Sequence, residues 1–185
     1  MKKILLPLIC LLFIAFSCKE KDDVNNSPPD KPTNIFYDLN DDSGYDFEIR
    51  YLLVTTDGLN CSSGGFTGEI VPLNQNAILL KQNEYSMFNQ LNDTIRNTVS
   101  EPLFWEYTQR PLVSIIQSCT YDHEWPAEWS ISSESEAGPY YLAVKMNDIE
   151  GQKLGWIQLD IDASSGMINI IDYNFTQEDY IVIDK

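Results

Sequence analysis

Histidine occurs once in the 185 residues, at His123, cysteine occurs only four times, and no two cysteines form a CxxC pair. A zinc centre takes about four ligands, mostly His and Cys, so these residue types cannot furnish one. A Ser-His-Asp triad would have to be built on His123, and no GxSxG nucleophile elbow is present. Basic residues are scarce as well: 12 Lys and Arg face 28 Asp and Glu, a formal charge of −16. That balance repels nucleic-acid phosphates and anionic headgroups, which argues against nucleic-acid or peripheral-membrane binding and favours cations, basic peptides or neutral sugars. Beyond Phe16 no apolar run is long enough to cross a bilayer as a helix.

The chain opens with two lysines, an apolar run from Ile4 to Phe16, then Ser17 and Cys18. A helix of that length covers only about 20 Å, so the segment reads as a secretory signal over residues 1–17, not as a span. Its end, AFSC, resembles the bacterial lipobox, in which a signal peptidase cuts before a cysteine that is then acylated. The resemblance implies lipidation at Cys18 and attachment to a membrane through that anchor. The following KEKDD resembles the acidic tag of Bacteroidota-type lipoproteins exposed on the outer membrane surface, which implies a cell-surface location. An ordinary signal peptide that leaves Cys18 as a thiol is the alternative. Residues 18–33 are polar, carry three prolines and read as an extended tether.

Processing removes Lys2 and Lys3, which takes the 12 basic residues to 10 against 28 acidic ones, a formal charge of −18. About 150 residues then remain for one domain, 34–185. Cys10 leaves with the signal, so Cys61 and Cys119 are the cysteines of the folded part; an oxidising compartment allows one disulfide between them, or they are two buried thiols.

Most of this region is rich in β-branched and aromatic residues. In the last third, Leu142, Val144 and Met146 alternate with other residues, DIEG turns, Trp156 to Ile161 alternates again, and ASSG turns into a strand from Met167 to Phe175. The pattern predicts an antiparallel meander, with Trp156 in the core. The spacing of Phe88, Leu91, Ile95 and Val99 predicts one short helix within 84–99. The expected fold is mainly β: a single antiparallel β-sandwich or distorted barrel.

Two stretches carry candidate chemistry. In DLNDDSGYDF, oxygen-bearing side chains fall at Asp38, Asn40, Asp42 and Asp46, a 1, 3, 5, 9 spacing that calcium could use, although position twelve is Ile49, where an EF-hand has Glu. A solvated Asx-type hairpin loop uses the same residues. The set DIDASSG, from Asp160, is a weaker oxygen cluster and reads as a turn.

IFYDLNDDSGYDFEI resembles the strand, Asp-rich loop, strand element near the start of many secreted and lipid-anchored β proteins of Bacteroidota type, and KLGWIQLDIDASSGMINIIDYNF resembles their closing hairpin. Ser43 stands where those proteins have glycine, and Leu154 where they have tyrosine. The resemblance implies a β-rich extracellular module and names no reaction.

The second stretch is YDHEWPAEW, where Tyr121, His123, Trp125 and Trp129 sit among carboxylates. Flat aromatics beside carboxylates suit a glycan site; the alternative is that the tryptophans cap the core. A glycosidase pair could be drawn from Glu101, Glu106, Asp122, Glu124 or Glu128, but chance pairs are common in so acidic a chain. The sequence therefore points to a non-catalytic extracellular binding module for glycans or nutrients, with calcium as the one cofactor suggested. A partner-docking subunit of an envelope complex is the alternative.

Overall fold

The computed structural model describes residues 29–57, 62–82, 88–117, 125–132 and 138–184. Twelve strands appear among them: β1 Ile35–Tyr37, β2 Phe47–Asp57, β3 Ser62–Pro72, β4 Ala77–Lys81, β5 Thr94–Arg96, β6 Leu103–Glu106, β7 Arg110–Ile116, β8 Ser130–Ile131, β9 Tyr140–Asp148, β10 Gly151–Asp162, β11 Met167–Thr176 and β12 Tyr180–Val182. One five-stranded sheet runs β1-β2-β3-β7-β8, a second runs β11-β10-β9-β4-β6, and β12 pairs with β5 in a two-stranded sheet. All pairs are antiparallel and neither large sheet closes on itself. The fold is thus mainly β and sandwich-like, and not a barrel.

Period-2 patterning explains the main core. Phe47, Ile49 and Tyr51 point inward from β2, while on the other face Arg50 pairs with Glu69 of β3 at 3.3 Å. They meet Leu142, Val144 and Met146 of β9 and Ile157 and Leu159 of β10. The predicted meander forms as β9-β10-β11, turning where expected at residues 149–150 and 163–166.

The outer face of the second sheet is covered too. Ile95 of β5, Ile181 of β12 and nearby Ile183 pack on Leu79, Tyr141, Ala143, Leu154 and Trp156 to make a second, smaller core. The two-stranded sheet is therefore a third layer, and β9 is buried on both faces from Tyr140 to Met146.

The helix expected within 84–99 does not form among its described residues. Asn89 bridges to Tyr141, Asn92 adopts φ 72°, and Thr94–Arg96 is β5. Its four apolar residues do not share a face: Phe88 packs on Tyr140 in the first core, Ile95 and Val99 join the second, and Leu91 is exposed. The intervening Asn and Thr residues are weak helix formers, so tertiary partners decide the outcome.

The two large sheets are also joined along one side by tyrosine hydroxyls. The Ile168 N–H of β11 donates to Tyr51 Oη at 2.9 Å, and the Ile170 N–H donates to Tyr37 Oη at 3.1 Å. Gly68 makes the first of these possible: a Cβ there would lie 2.9 Å from the Tyr51 ring and 2.8 Å from Val113.

Candidate functional site

The Asp-rich loop lies between β1 and β2, and its side chains serve the loop itself. Asp38 Oδ2 accepts the Ser43 N–H at 2.9 Å, Asn40 Oδ1 accepts the Asp42 N–H at 3.1 Å, and Asp42 Oδ1 accepts the Gly44 N–H at 2.7 Å. Asp42 Oδ2 takes the Asn40 carboxamide at 3.0 Å. Asp46, buried at the base, accepts the Leu39 N–H at 2.8 Å and the Asn76 carboxamide at 3.2 Å. Burial pushes the Asp46 carboxyl above its ordinary value, helped by the charges of Asp42 and Asp38 and opposed by these two hydrogen bonds.

No group of three or more His, Cys, Asp or Glu among the described residues is placed to hold a metal ion. These hydrogen bonds give the stretch the geometry of an Asx-type loop, with Asp41 and Ser43 at φ 59° and 72°, while Asp38 Oδ1 is buried without a partner. The oxygen set of DIDASSG behaves alike: Asp162 accepts the Ser164 N–H and both the Ser164 and Ser165 hydroxyls, which hold its carboxyl down at about 2.

Of the aromatic candidates, Tyr121 and His123 lie outside the described residues, as do Cys18, Cys61 and Cys119. Trp129 is 3% exposed, sits edge-on to Tyr51 and stacks with Phe66, and its ring covers Gly166 in the turn before β11. It belongs to the first core and is not available as an exposed stacking platform. Trp125 is half-buried against Phe66, with ring centroids 6.2 Å apart. Among the carboxylates, Glu106 is bound by Arg110 at 2.6 Å and by the Tyr107 and Thr108 amides, while Glu101 and Glu128 are exposed.

A better candidate lies where β9 begins. The last β9–β10 pair is Tyr140 with Leu159, yet β10 runs on to Asp162, so no strand pairs with Asp160 and Ile161 on that side among the described residues. A cleft of about 350 Å³ opens there. Its walls include Ile131, Pro139, Ile161 and Ala163, and its polar groups are Gln158, Asp160 and Tyr140. Ile171, 56% exposed at its mouth, is the extra residue of a bulge that shifts the β10–β11 register between Gln158 and Leu159.

Gln158 is the informative group. It is 8% exposed, and its carboxamide makes no hydrogen bond among the described residues. Its amide atoms are not fully buried, so they still reach solvent and are open to a ligand. The sequence gives no hint of it, because a glutamine between Ile157 and Leu159 reads as an ordinary outward polar residue of an alternating strand. Its burial comes from Tyr141, its partner on β9.

The second core holds polar groups as well, but no recognisable site. Tyr141 Oη and Trp156 Nε1 are fully buried without partners, their rings edge-to-face at 5.6 Å. Lys145, 8% exposed, holds its ammonium 4.6 Å from the centre of the Trp105 ring, and burial pushes its basicity down. No family model matches the chain, and no curated protein or solved structure matches it.

Proposed function

We propose that this chain is a lipid-anchored, cell-surface module that binds an extracellular ligand without transforming it, and that the cleft beside Gln158 is its binding site. The single observation that carries the site is Gln158, a polar residue that is 8% exposed, lines the cleft and makes no hydrogen bond among the described residues. Surrounding aliphatic side chains would exclude water, and the amide supplies one donor and one acceptor, the usual makeup of a small-ligand site. The anchor and the outer-membrane location rest on the sequence of residues 15–23, AFSCKEKDD.

The test is a thermal-shift screen with glycans, small nutrients and short peptides, repeated in Gln158→Leu. Gln158→Leu should leave the melting temperature of the free protein little changed while abolishing the response to a ligand of the wild type. A ligand response that survives in Gln158→Leu moves the site elsewhere. The anchor is tested separately: incorporation of labelled fatty acid should disappear in Cys18→Ala.

A second reading, docking to an envelope partner, is favoured by the exposure of Leu53 in the middle of β2 and of Ile116 at the end of β7. It predicts a partner crosslinked near these residues and lost in Leu53→Asp.

A further inference from the structure

The third layer covers two polar atoms that have nothing to bond. Tyr141 Oη and Trp156 Nε1 lie on the outer face of the second sheet, fully buried and without hydrogen-bond partners. Ile95 of β5, Ile181 of β12 and nearby Ile183 pack over the rings that carry them. A hydroxyl or an indole N–H without a partner forfeits its bonds to water only while it is covered. Both groups therefore work against closure, and the apolar contact of the layer must outweigh them.

The layer is built to move as one piece, because its hydrogen bonds are its own. β5 pairs with β12 from Thr94 to Arg96, the Asn92 N–H donates to the Ile183 carbonyl at 2.8 Å, the Ile183 N–H to the Asp93 carbonyl at 3.0 Å, and the Asn97 N–H to the Asp179 carbonyl at 2.8 Å. Among the described residues, a single hydrogen bond and no ion pair tie residues 92–97 and 179–183 to the second sheet: Trp105 Nε1 donates to the Asn97 carbonyl at 3.1 Å. Lifting the layer breaks that bond and leaves its internal ladder intact. The seam is already parted on one side, where a cavity of about 320 Å³ lies between Asp93, Thr94 and Arg96 of the layer and Leu79 and Leu103 of the second sheet.

We infer that this layer is a lid: β5 and β12 lift together off the second sheet while the sandwich beneath stays folded, uncovering the Tyr141 hydroxyl and the Trp156 indole N–H. Closed, the lid seals two aromatic residues with their polar tips unpaired. Lifted, it lets water, or a ligand that brings hydrogen-bond acceptors to an apolar face, reach both.

The experiment is backbone and indole hydrogen exchange, followed by NMR on the full chain in detergent across low urea concentrations. Lifting the lid uncovers the Trp156 Nε1–H, whereas the β9 and β10 amides exchange only when their ladder breaks. The indole proton should exchange roughly a hundredfold or more faster than the slowest β9 and β10 amides, at a rate almost independent of urea. Ile49→Val in the first core should speed those slow amides and leave the Trp156 indole rate unchanged, because the opened state keeps the first core. Tyr141→Phe keeps the ring, removes the unpaired hydroxyl and should slow the indole exchange by about fivefold or more. Indole exchange that follows the slow amides through urea and through Ile49→Val would mean that the layer leaves only on global unfolding, and overturns the inference. An unchanged or faster indole rate in Tyr141→Phe overturns it as well, since the hydroxyl would then have a partner in the closed state.

Discussion

Gly155 and Phe175 show how much a single position can hold. They are paired across β10 and β11, and a Cβ on Gly155 would run into the Phe175 ring, which lies across the glycine and packs against the first core. Gly155→Ala should therefore cost about 1–3 kcal/mol in urea unfolding, and truncating Phe175 to alanine as well should recover only part of that cost, because the added Cβ would still meet the Asn174 carbonyl oxygen. Additive losses would show that the ring does not need the space. Asp162 offers a second check at this scale. Its carboxyl is held at about 2 by the Ser164 and Ser165 hydrogen bonds, below its ordinary value, so its contribution to the turn is present above the unfolded carboxyl range near pH 4 and is lost as pH falls through about 2. A carboxyl titration by NMR should place the midpoint near 2 in the native protein, and Ser164→Ala with Ser165→Ala should raise it; a native midpoint near 4 would mean that the turn hydrogen bonds are not made.

At the level of elements, β11 is the longest strand at a sheet edge, and two of its amide groups are closed off by phenols from the other sheet. Tyr51→Phe keeps the ring over Gly68 and removes only the acceptor for the Ile168 N–H. The expected cost is about 1–3 kcal/mol, with faster hydrogen exchange at Ile168 than at its neighbours. Burial raises the Tyr51 phenol above its ordinary value while the Ile168 N–H pulls the other way, so stability is unaffected below about pH 10 and falls as pH rises further through the raised value, because ionisation in the fold buries a charge. The Tyr51→Phe protein should lack that part of the alkaline loss.

The meander β9-β10-β11 was legible because Leu142, Val144, Met146 and Trp156 to Ile161 alternate strictly and Gly151 and Gly166 punctuate the turns. The third layer was not: Ile95 and Val99 sit at helical spacing, and only their partners Tyr141 and Trp156 reveal a strand and its flank. Strand β3 was hidden by Gly64, Gly65 and Gly68, which weaken a strand pattern, though Gly65 and Gly68 here admit neighbours that need the room. The cleft could not be read at all, since it arises from where β9 stops opposite β10.

Across the whole molecule, charge is the dominant imbalance. Few of the acidic residues have partners: the described ion pairs are Arg50–Glu69, Arg110–Glu106 and Lys153 with Asp148 and Glu150. Self-repulsion in a chain of charge −16 should make stability rise with salt over the range in which the Debye length falls from about 30 to about 8 Å. Because the loop carboxylates are turned toward their own amides, calcium at matched ionic strength should raise the melting temperature no further than a non-coordinating salt. A larger calcium shift, lost in Asp42→Asn, would show that Asp38, Asn40, Asp42 and Asp46 rearrange to bind the ion.

The Tyr37 hydroxyl has a mechanical side as well. β1 holds only three residues, and taken with β2 alone it would be the first element to yield to a pull arriving through residues 29–34. Because Tyr37 also grips Ile170 on the opposite sheet, such a load divides between the two halves of the sandwich. The two sheets would then resist such a pull as a unit, and Tyr37→Phe should lower the rupture force in single-molecule pulling from the N-terminal side far more than it lowers the melting temperature.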